Sequence, residues 1–449
     1  MNFPVVQPAA ASASELLARY TVPNYGRLSL VPSRGAGVWL WDETGRQYLD
    51  FGGGVAVTSL GHCPAVITRA LTVQGSKLIH CSNWYQIRGQ GELGKFLTET
   101  VMEAPGKSIF CNSGAEANEA LLKLARKFGH ATPLPDGTPR THILTFNNSF
   151  HGRTYAGISA TGQDKVKAGF APLLPGFTHL PYNDPGAVHA ALTPQTVAIL
   201  VEPVQGEGGV NVATPGFLRG LATLCQERNM LLLFDEVQSG LGRLGHWCGW
   251  KPLAPEIIPD GVSWAKGLGG GFPIGAAWIR QRPITSGPDA PDLCDVLGPG
   301  SHGTTYGGSP LACAVSLAVL QEIHDSRLCA HSAALGTEII AAVASWQHPL
   351  IHTIRGLGLL IGFELDEAAL QSRTAYTPAD GMASLHLVKA LMAQGLLTVP
   401  AGPLVVRWLP PLNVTRAEVQ TALSIFRRVL DAQLDGGGRT GTGGPGGQE

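Results

Sequence analysis

The chain has 449 residues, and at roughly 100 to 200 residues per domain this length predicts two or three domains. Lys plus Arg number 32 against 33 Asp plus Glu, a net charge of -1, which excludes nucleic acid and acidic membrane surfaces as principal partners. Charged residues make up only 14%, against about 25% in average soluble domains, so much of the surface is expected to be covered by other protein, as in an oligomer.

The N-terminal stretch MNFPVVQPAAASASELLARY has no basic segment ahead of an apolar one and does not read as a secretory signal. Apolar runs such as Val197 to Val201 and Leu231 to Phe234 are far shorter than a membrane span, so no membrane association is expected. The eight cysteines stand singly, without a Cys-x-x-Cys pair. That suits neither a disulfide scaffold nor a zinc site, so no metal is expected, and reduced thiols point to the cytoplasm. From Lys107 the chain takes on a βαβ rhythm. A strand at Lys107 to Cys111 is followed by helical spacing of Ala117, Ala120, Leu121, Leu124, Ala125 and Phe128, then by a strand at His142 to Phe146. Further strands are predicted at Val197 to Val201, Met230 to Phe234 and Gly261 to Ala265, with a helix around Phe217 to Arg228. The fold class is therefore α/β, a mostly parallel sheet between helices. After about Ser309 the pattern becomes helix-rich, then gives strands at Gly358 to Glu364 and Val405 to Leu409 and helices at Asp380 to Gln394 and Thr415 to Gln433, a smaller α+β domain. Eight of the last fourteen residues are Gly, the composition of a disordered tail.

Ligands of open parallel sheets sit beyond the carboxyl ends of the strands, so the residues following each apolar run carry the most information. Asn112-Ser113-Gly114-Ala115 opens directly into a helix, whose unpaired N–H groups and Ser113 hydroxyl suit a phosphate; alone, Ser113 reads more readily as a helix cap. Gly106-Lys107-Ser108 is not a nucleotide P-loop, because Val101 stands where that motif needs Gly, and Gly267-Leu268-Gly269-Gly270-Gly271 does not follow the dinucleotide fingerprint. Asp235 closes the run Leu231 to Phe234, where a carboxylate is desolvated and needs a partner. Lys266 ends another predicted strand and is followed by glycines that admit a ligand close to the backbone. A phosphate cradle, an acid and an amine on three strand ends together meet the needs of pyridoxal 5′-phosphate (PLP).

Seven motifs then stand in one order: Asn112 to Glu119, Phe150-His151-Gly152-Arg153-Thr154, Glu202-Pro203-Val204-Gln205-Gly206-Glu207-Gly208, Phe234-Asp235-Glu236-Val237-Gln238, Ala265-Lys266, His302 to Gly308 and Arg407 to Leu412. From about Tyr25 to Leu430 the chain resembles the class III PLP-dependent aminotransferases of fold type I, most closely their acetylornithine and ornithine branch. The resemblance implies that Ser113, Gly114 and Ala115 hold the phosphate and that Phe150 stacks on the pyridine ring. It implies further that Asp235 pairs with the ring nitrogen, Gln238 contacts the phenolic oxygen and Lys266 is the catalytic amine that condenses with the aldehyde. Thr305 resembles the residue that reaches the phosphate of a neighbouring subunit, which implies a homodimer with its active site at the interface. Arg153 is similar to the arginine for the distal carboxylate, and Arg407 to the one for the α-carboxylate of glutamate, with Glu207 as its gate. Val55 occupies the position where ornithine-specific relatives resemble one another in having Tyr, so an acylated substrate nitrogen is implied. Two departures stand out: Gly61-His62-Cys63-Pro64 is one residue short of the family pattern, and Ser309 replaces an Asn in Gly307-Gly308-Ser309-Pro310. The segment Pro283 to Gly300 looks longer than usual.

The implied organisation is an N-terminal arm and part of the small domain in 1–54, a large PLP-binding domain in 55–320, a C-terminal small domain in 321–434 and the Gly-rich tail in 435–449. The implied reaction moves the δ-amino group of N2-acetylornithine to 2-oxoglutarate, from amino-acid and 2-oxo-acid substrates. Rival readings are another ω-amino donor (4-aminobutyrate, ornithine, succinylornithine or N-succinyl-diaminopimelate) or a non-catalytic protein of the same fold, against which intact Lys266 and Asp235 speak.

Overall fold

The computed structural model describes residues 11–287 and 289–435; the glycine-rich tail after Asp435 lies outside the described residues. The βαβ rhythm becomes a seven-stranded sheet made of β1 (Gly106–Cys111), β2 (His142–Phe146), β3 (Phe177–Leu180), β4 (Thr196–Val201), β5 (Leu231–Asp235), β6 (Gly261–Trp264) and β7 (Gly275–Arg280). Their spatial order is β1-β7-β6-β5-β4-β2-β3. Every residue of β4, β5 and β6 is buried, as expected where helices cover both faces of a parallel sheet. Neighbouring strands run parallel from β6 through β5, β4 and β2 to β3. Only β7 is reversed, being antiparallel to both β6 and β1. Six carboxyl ends and the amino end of β7 therefore share one edge of the sheet, and that edge carries the site.

The sequence pattern does not announce β7 or β3. Gly-Ala-Ala at the start of β7 has low strand propensity, and its pairing comes from filling the gap between β1 and β6. Nor does it announce the four-stranded N-terminal sheet, in which Gln47–Asp50 pairs in parallel with Leu396–Leu397 and ties the two ends of the chain together. The predicted C-terminal strands appear at Leu360–Leu365 and Val405–Trp408, in an antiparallel sheet with Ile351–Leu357 and Val399–Ala401. The helix Pro310–Asp325 serves two cores. Its Ala312, Cys313 and Leu320 pack with Trp264 and Trp278 of the large sheet, and its Val315, Val319 and Ile323 with Phe363 and Trp408. All eight cysteines are free thiols. Among the described residues no helix is long and apolar enough to cross a membrane.

The helix Gly114–Ala131 runs from the functional edge along the sheet, burying Ala117, Leu121, Leu124 and Phe128. Near its end, a Cβ on Gly129 would stand 1.7 Å from the Arg140 carbonyl oxygen. Gly→Ala inside a helix ordinarily gains about 1 kcal/mol. Here the collision is with backbone, and overpacking of about 1 to 3 kcal/mol or more outweighs that gain. Gly129→Ala is thus expected to destabilise the protein in equilibrium denaturation, and a stabilised variant would contradict the close approach.

Candidate active site

Beyond the shared edge lies a cavity of about 420 Å³ lined by Ser113, Gly114, Ala115, Asn118, Phe150, His151, Arg153, Glu202, Glu207, Asp235, Gln238 and Lys266. Nine of the residues singled out in the sequence thus meet in one place. Ser113 caps the helix that opens at Gly114, accepting from the Glu116 N–H at 3.2 Å, and the Glu116 carboxylate in turn accepts from the Asn112 N–H at 2.8 Å. Both readings of Ser113 are compatible: the cap holds the turn, Ser113, Gly114 and Ala115 line the cavity, and the first N–H groups of a helix lack partners within it.

Asp235 ends β5 and is 4% exposed. Its Oδ2 accepts from Asn118 Nδ2 at 2.7 Å and from His151 Nδ1 at 2.8 Å, and its Oδ1 from the Val237 N–H at 3.0 Å. Asn118 is itself oriented by Ser263 of the adjacent β6, whose hydroxyl donates to Asn118 Oδ1 at 2.6 Å. Lys266 follows β6 in a short turn and takes a left-handed backbone conformation, φ 42°, which costs a residue with a side chain on the order of 1 kcal/mol or more. Bonds from the Gly269 N–H to the Lys266 carbonyl, 3.1 Å, and from Ser316 to the Leu268 carbonyl, 2.7 Å, hold that turn.

Arg407 is buried to 1% exposure and does not itself line the cavity. Glu207 and Gln238 stand between: Arg407 Nη2 lies 2.9 Å from Glu207 Oε1, Arg407 Nη1 donates to Gln238 Oε1 at 2.6 Å, and Gln238 Nε2 donates back to Glu207 at 3.1 Å. Arg407 Nε is buried without a partner. Arg153 is exposed at the mouth, with its guanidinium 5.5 Å from the centre of the Phe150 ring. Val55 sits just outside. It occupies a left-handed stretch, φ 62°, whose turn Asp50 fastens by accepting the Gly52 and Gly53 N–H groups at 2.9 Å each, and the side chain of this segment that reaches the cavity is Val57. Gly53 shares that conformation, and a Cβ there would lie 2.5 Å from the Leu409 carbonyl oxygen. Thr305 is exposed and away from the cavity of its own chain.

Among the cavity residues that stood in the quoted motifs without an assigned role are Asn118, His151 and Glu202. Glu202 follows β4, accepts the Phe150 N–H at 3.2 Å, and is pushed well above the usual carboxylate range by burial and then by the nearby Asp235 charge. Burial acts the same way on Glu207, but Arg407, Lys266 and Gln238 together outweigh it and hold that carboxyl below its usual range. For Lys266, burial lowers the ammonium from the usual lysine value to about 8; Glu207 opposes this, Arg407 adds to it, and Asp235 and Glu202 oppose it.

The residues fit PLP on chemical grounds. An amine and a carboxylate stand on adjacent strand ends, a helix start is free for an anion, and Asp235 Oδ1 carries a single bond and retains capacity for another donor.

Residues 20–430 match the class-III aminotransferase profile, and the chain belongs to that family. It is 41% identical to an acetylornithine aminotransferase of Synechocystis over 434 residues, 95% of each chain, and 44% identical to one of Nostoc, covering 91% of each. Among solved structures it is similar to an ornithine aminotransferase of Toxoplasma gondii described with partial PLP occupancy at its active site (TM-score 0.84, 33% identity, 95% and 96% covered). It is also similar to the N-acetylornithine aminotransferase of Stenotrophomonas maltophilia (TM-score 0.75, 30% identity, 93% and 98% covered).

A lysine poised near neutrality is testable without cofactor. The pH dependence of Lys266 reductive methylation, read by mass spectrometry on the cofactor-free protein, is expected to have its midpoint near 8. Because Glu207 favours the ammonium, Glu207→Gln should move that midpoint downward. A midpoint near the ordinary lysine value of about 10.4 would contradict the described environment.

Proposed function

We propose that the protein is a PLP-dependent aminotransferase that transfers the δ-amino group of N2-acetylornithine to 2-oxoglutarate, giving N-acetylglutamate 5-semialdehyde and glutamate. The observation that carries this reading is the convergence of Lys266, Asp235 and the Glu207-covered Arg407 on one cavity, in a chain whose relatives bear acetylornithine aminotransferase names. When bound, PLP supplies an aldehyde that takes up the amino group and a protonated ring that accepts the electron pair released at the substrate carbon. Lys266 would remove the proton at that carbon and return it to the carbon on the other side of the transferring nitrogen; a pKa of about 8 leaves part of the amine unprotonated at neutral pH. Asp235 would keep the ring nitrogen protonated, Phe150 would flank the ring, and the Ser113-Gly114-Ala115 turn would bind the phosphate.

The two substrates need different carboxylate grips. Arg153, open at the mouth, takes the distal carboxylate. Arg407 takes the α-carboxylate of glutamate or 2-oxoglutarate once Glu207 moves aside; while the acylated diamine is bound, Glu207 remains paired and Arg407 is masked. On the segment singled out at Val55, it is the apolar Val57 that lines the cavity, and it accommodates the acylated nitrogen.

The site is completed by a second copy of the chain. Trp84 (95% exposed) and Tyr306 (65%) are part of an apolar surface around Thr305. Asn83 donates to the Thr304 and Gly307 carbonyls, both at 3.1 Å, and so fixes the 79–85 segment to the Thr305 loop. The helix Ala13–Tyr20 buries none of its residues against its own chain. Exposed apolar area of this kind is characteristic of an interface, and it supports reading Thr305 as serving the partner's phosphate site. The setting is cytoplasmic, in keeping with the free thiols.

The reading is tested by glutamate formation from 2-oxoglutarate with N2-acetylornithine, ornithine, 4-aminobutyrate, succinylornithine and N-succinyl-diaminopimelate. The highest kcat/KM is expected with N2-acetylornithine, and preference for another donor would replace it. Lys266→Ala should abolish transamination while leaving the fold intact by circular dichroism; near-normal turnover would refute the central assignment.

The gate gives a selective outcome. Losing a desolvated bidentate carboxylate contact costs on the order of 2 to 5 kcal/mol. Arg407→Ala should therefore slow the 2-oxoglutarate half-reaction at least about 30-fold more than the diamine half-reaction. Arg153→Ala should slow both. Single-turnover product formation in each direction measures this, and equal slowing by Arg407→Ala would show that the pair is no switch.

A further inference from the structure

Residues 51–61 leave one hairpin turn and return to it, and between the two ends they touch three parts of the active site. Val57 lines the cavity. Ser59 Oγ donates to the carbonyl of Gly267, next to Lys266, at 3.2 Å. The Phe51 and Ser59 carbonyls accept the Leu409 and Leu412 N–H groups at 2.6 and 2.7 Å, on the stretch that follows Arg407. The later half of the segment is thus anchored through Ser59. The earlier half is held differently. Gly53, Gly54, Val55 and Ala56 are all left-handed, with φ from 53° to 65°, a conformation that Val and Ala adopt only where their surroundings impose it. Asp50 imposes it: the carboxylate is buried, its Oδ1 accepts both the Gly52 and Gly53 N–H groups at 2.9 Å, and the Gly53 carbonyl then accepts the Val57 and Thr58 N–H groups at 2.8 and 3.0 Å. The other oxygen of Asp50 is taken by His62, whose Nε2 lies 2.9 Å from Oδ2 and must donate, because a carboxylate offers only acceptors. His62 is bonded through its backbone to Gly37 in both directions, at 2.7 and 3.0 Å, and the Asp50 N–H donates to the Val38 carbonyl at 2.8 Å. Gly37 and Val38 form the turn between the paired strands Pro32–Ala36 and Trp39–Asp42.

We propose that His62 is a positioning residue for the amino donor: it clips Asp50 across the base of this loop, Asp50 holds the left-handed turn, and the turn sets where Val57 stands in the cavity wall. The histidine of the shortened Gly61-His62-Cys63-Pro64 motif thereby acquires a role in donor selection without touching the donor. Val57 meets the acylated nitrogen, so a displaced Val57 costs N2-acetylornithine more than it costs ornithine. The Lys266 turn and the Arg407 stretch are spared, because they are attached to the loop at Phe51 and Ser59, outside the residues that Asp50 fastens. The proposal rests on the reading of N2-acetylornithine as the donor.

Two measurements on the full chain test it. The first is the ratio of kcat/KM for N2-acetylornithine to that for ornithine, in the PLP-loaded enzyme. The second is amide hydrogen exchange of residues 51–58 with and without PLP, read by mass spectrometry, with Leu231–Asp235 of β5 as the internal control. His62→Leu removes the donor and should lower the ratio and speed exchange of 51–58 by about 10-fold each, the low end for a hydrogen bond to a charged group. His62→Asn is too short to reach Asp50 and carries the same expectation should His62→Leu fail to fold. His62→Gln places an N–H where Nε2–H stands and should restore both readouts. An unchanged ratio in the Leu and Asn variants overturns the proposal. So does an equal loss with both donors, or faster exchange in β5 as well, since either marks a merely structural role. Preference of the unsubstituted enzyme for another donor would count instead against the reading of the reaction, and the exchange of 51–58 would still decide whether His62 holds the turn.

Discussion

The structure depends on satisfying one buried carboxylate. Asp235 closes a strand whose every residue is buried, and a polar group there without partners is costly. Three donors supply them: an amide from the helix after β1, an imidazole from the loop after β2, and a backbone N–H two residues on. The first two are positioned by the sheet rather than by sequence neighbourhood. The order of the strands is therefore also a chemical arrangement, because β5 must lie next to β6 for Ser263 to orient Asn118.

Around that charge the cavity gathers Glu202 and Glu207 against Lys266 and, behind the gate, Arg407. The balance is uneven by design of position. Glu207 has a cation at 2.9 Å and remains ionised, while Glu202 receives a neutral backbone N–H and the repulsion of Asp235 and is driven toward its protonated form. Two chemically similar acids in one cavity thus differ in charge. Lys266 senses both groups of neighbours and settles near 8, low enough to act as a base and not so low as to lose its cationic form near neutrality.

Much of this was legible in the sequence where chemistry follows from a strand end. Asp235 and Lys266 were found because each terminates an apolar run, and the motifs fixed the rest in order. Strand alternation also separates Asp235 from its neighbour Glu236. The former lines the cavity, while the latter is bonded to the Trp250 N–H in the core and raised to about 8 by burial. What sequence did not disclose depends on tertiary contact. The antiparallel β7 is too weak a local pattern to stand out, and the pairing of Gln47–Asp50 with Leu396–Leu397 joins positions with nothing in common locally. Val55 was selected by resemblance, but successive left-handed residues turn the segment so that Val57 meets the cavity. His151 and Asn118 stood inside quoted motifs, yet their role depends on a partner more than eighty positions away.

Gln238 connects the charged centre to the gate, and its amide leaves little freedom in how it does so. Arg407 has no acceptor to offer, so the atom facing it at 2.6 Å must be the Gln238 oxygen, and the nitrogen must then face Glu207. One of the two N–H groups is spent on Glu207, and the second remains for whatever occupies the cavity. In the proposed opening, Glu207 would release the first N–H while the Arg407 bond stays. The orientation of the amide would then survive, and Arg407 would still be held by one neutral acceptor with its other nitrogens free. A glutamate at position 238 would pair fully with Arg407 and compete with the incoming carboxylate, and an apolar residue would leave the guanidinium unfixed. A neutral amide that accepts on one side and donates on the other holds the arginine in place without neutralising it, which is the condition a carboxylate-binding site behind a movable acid requires.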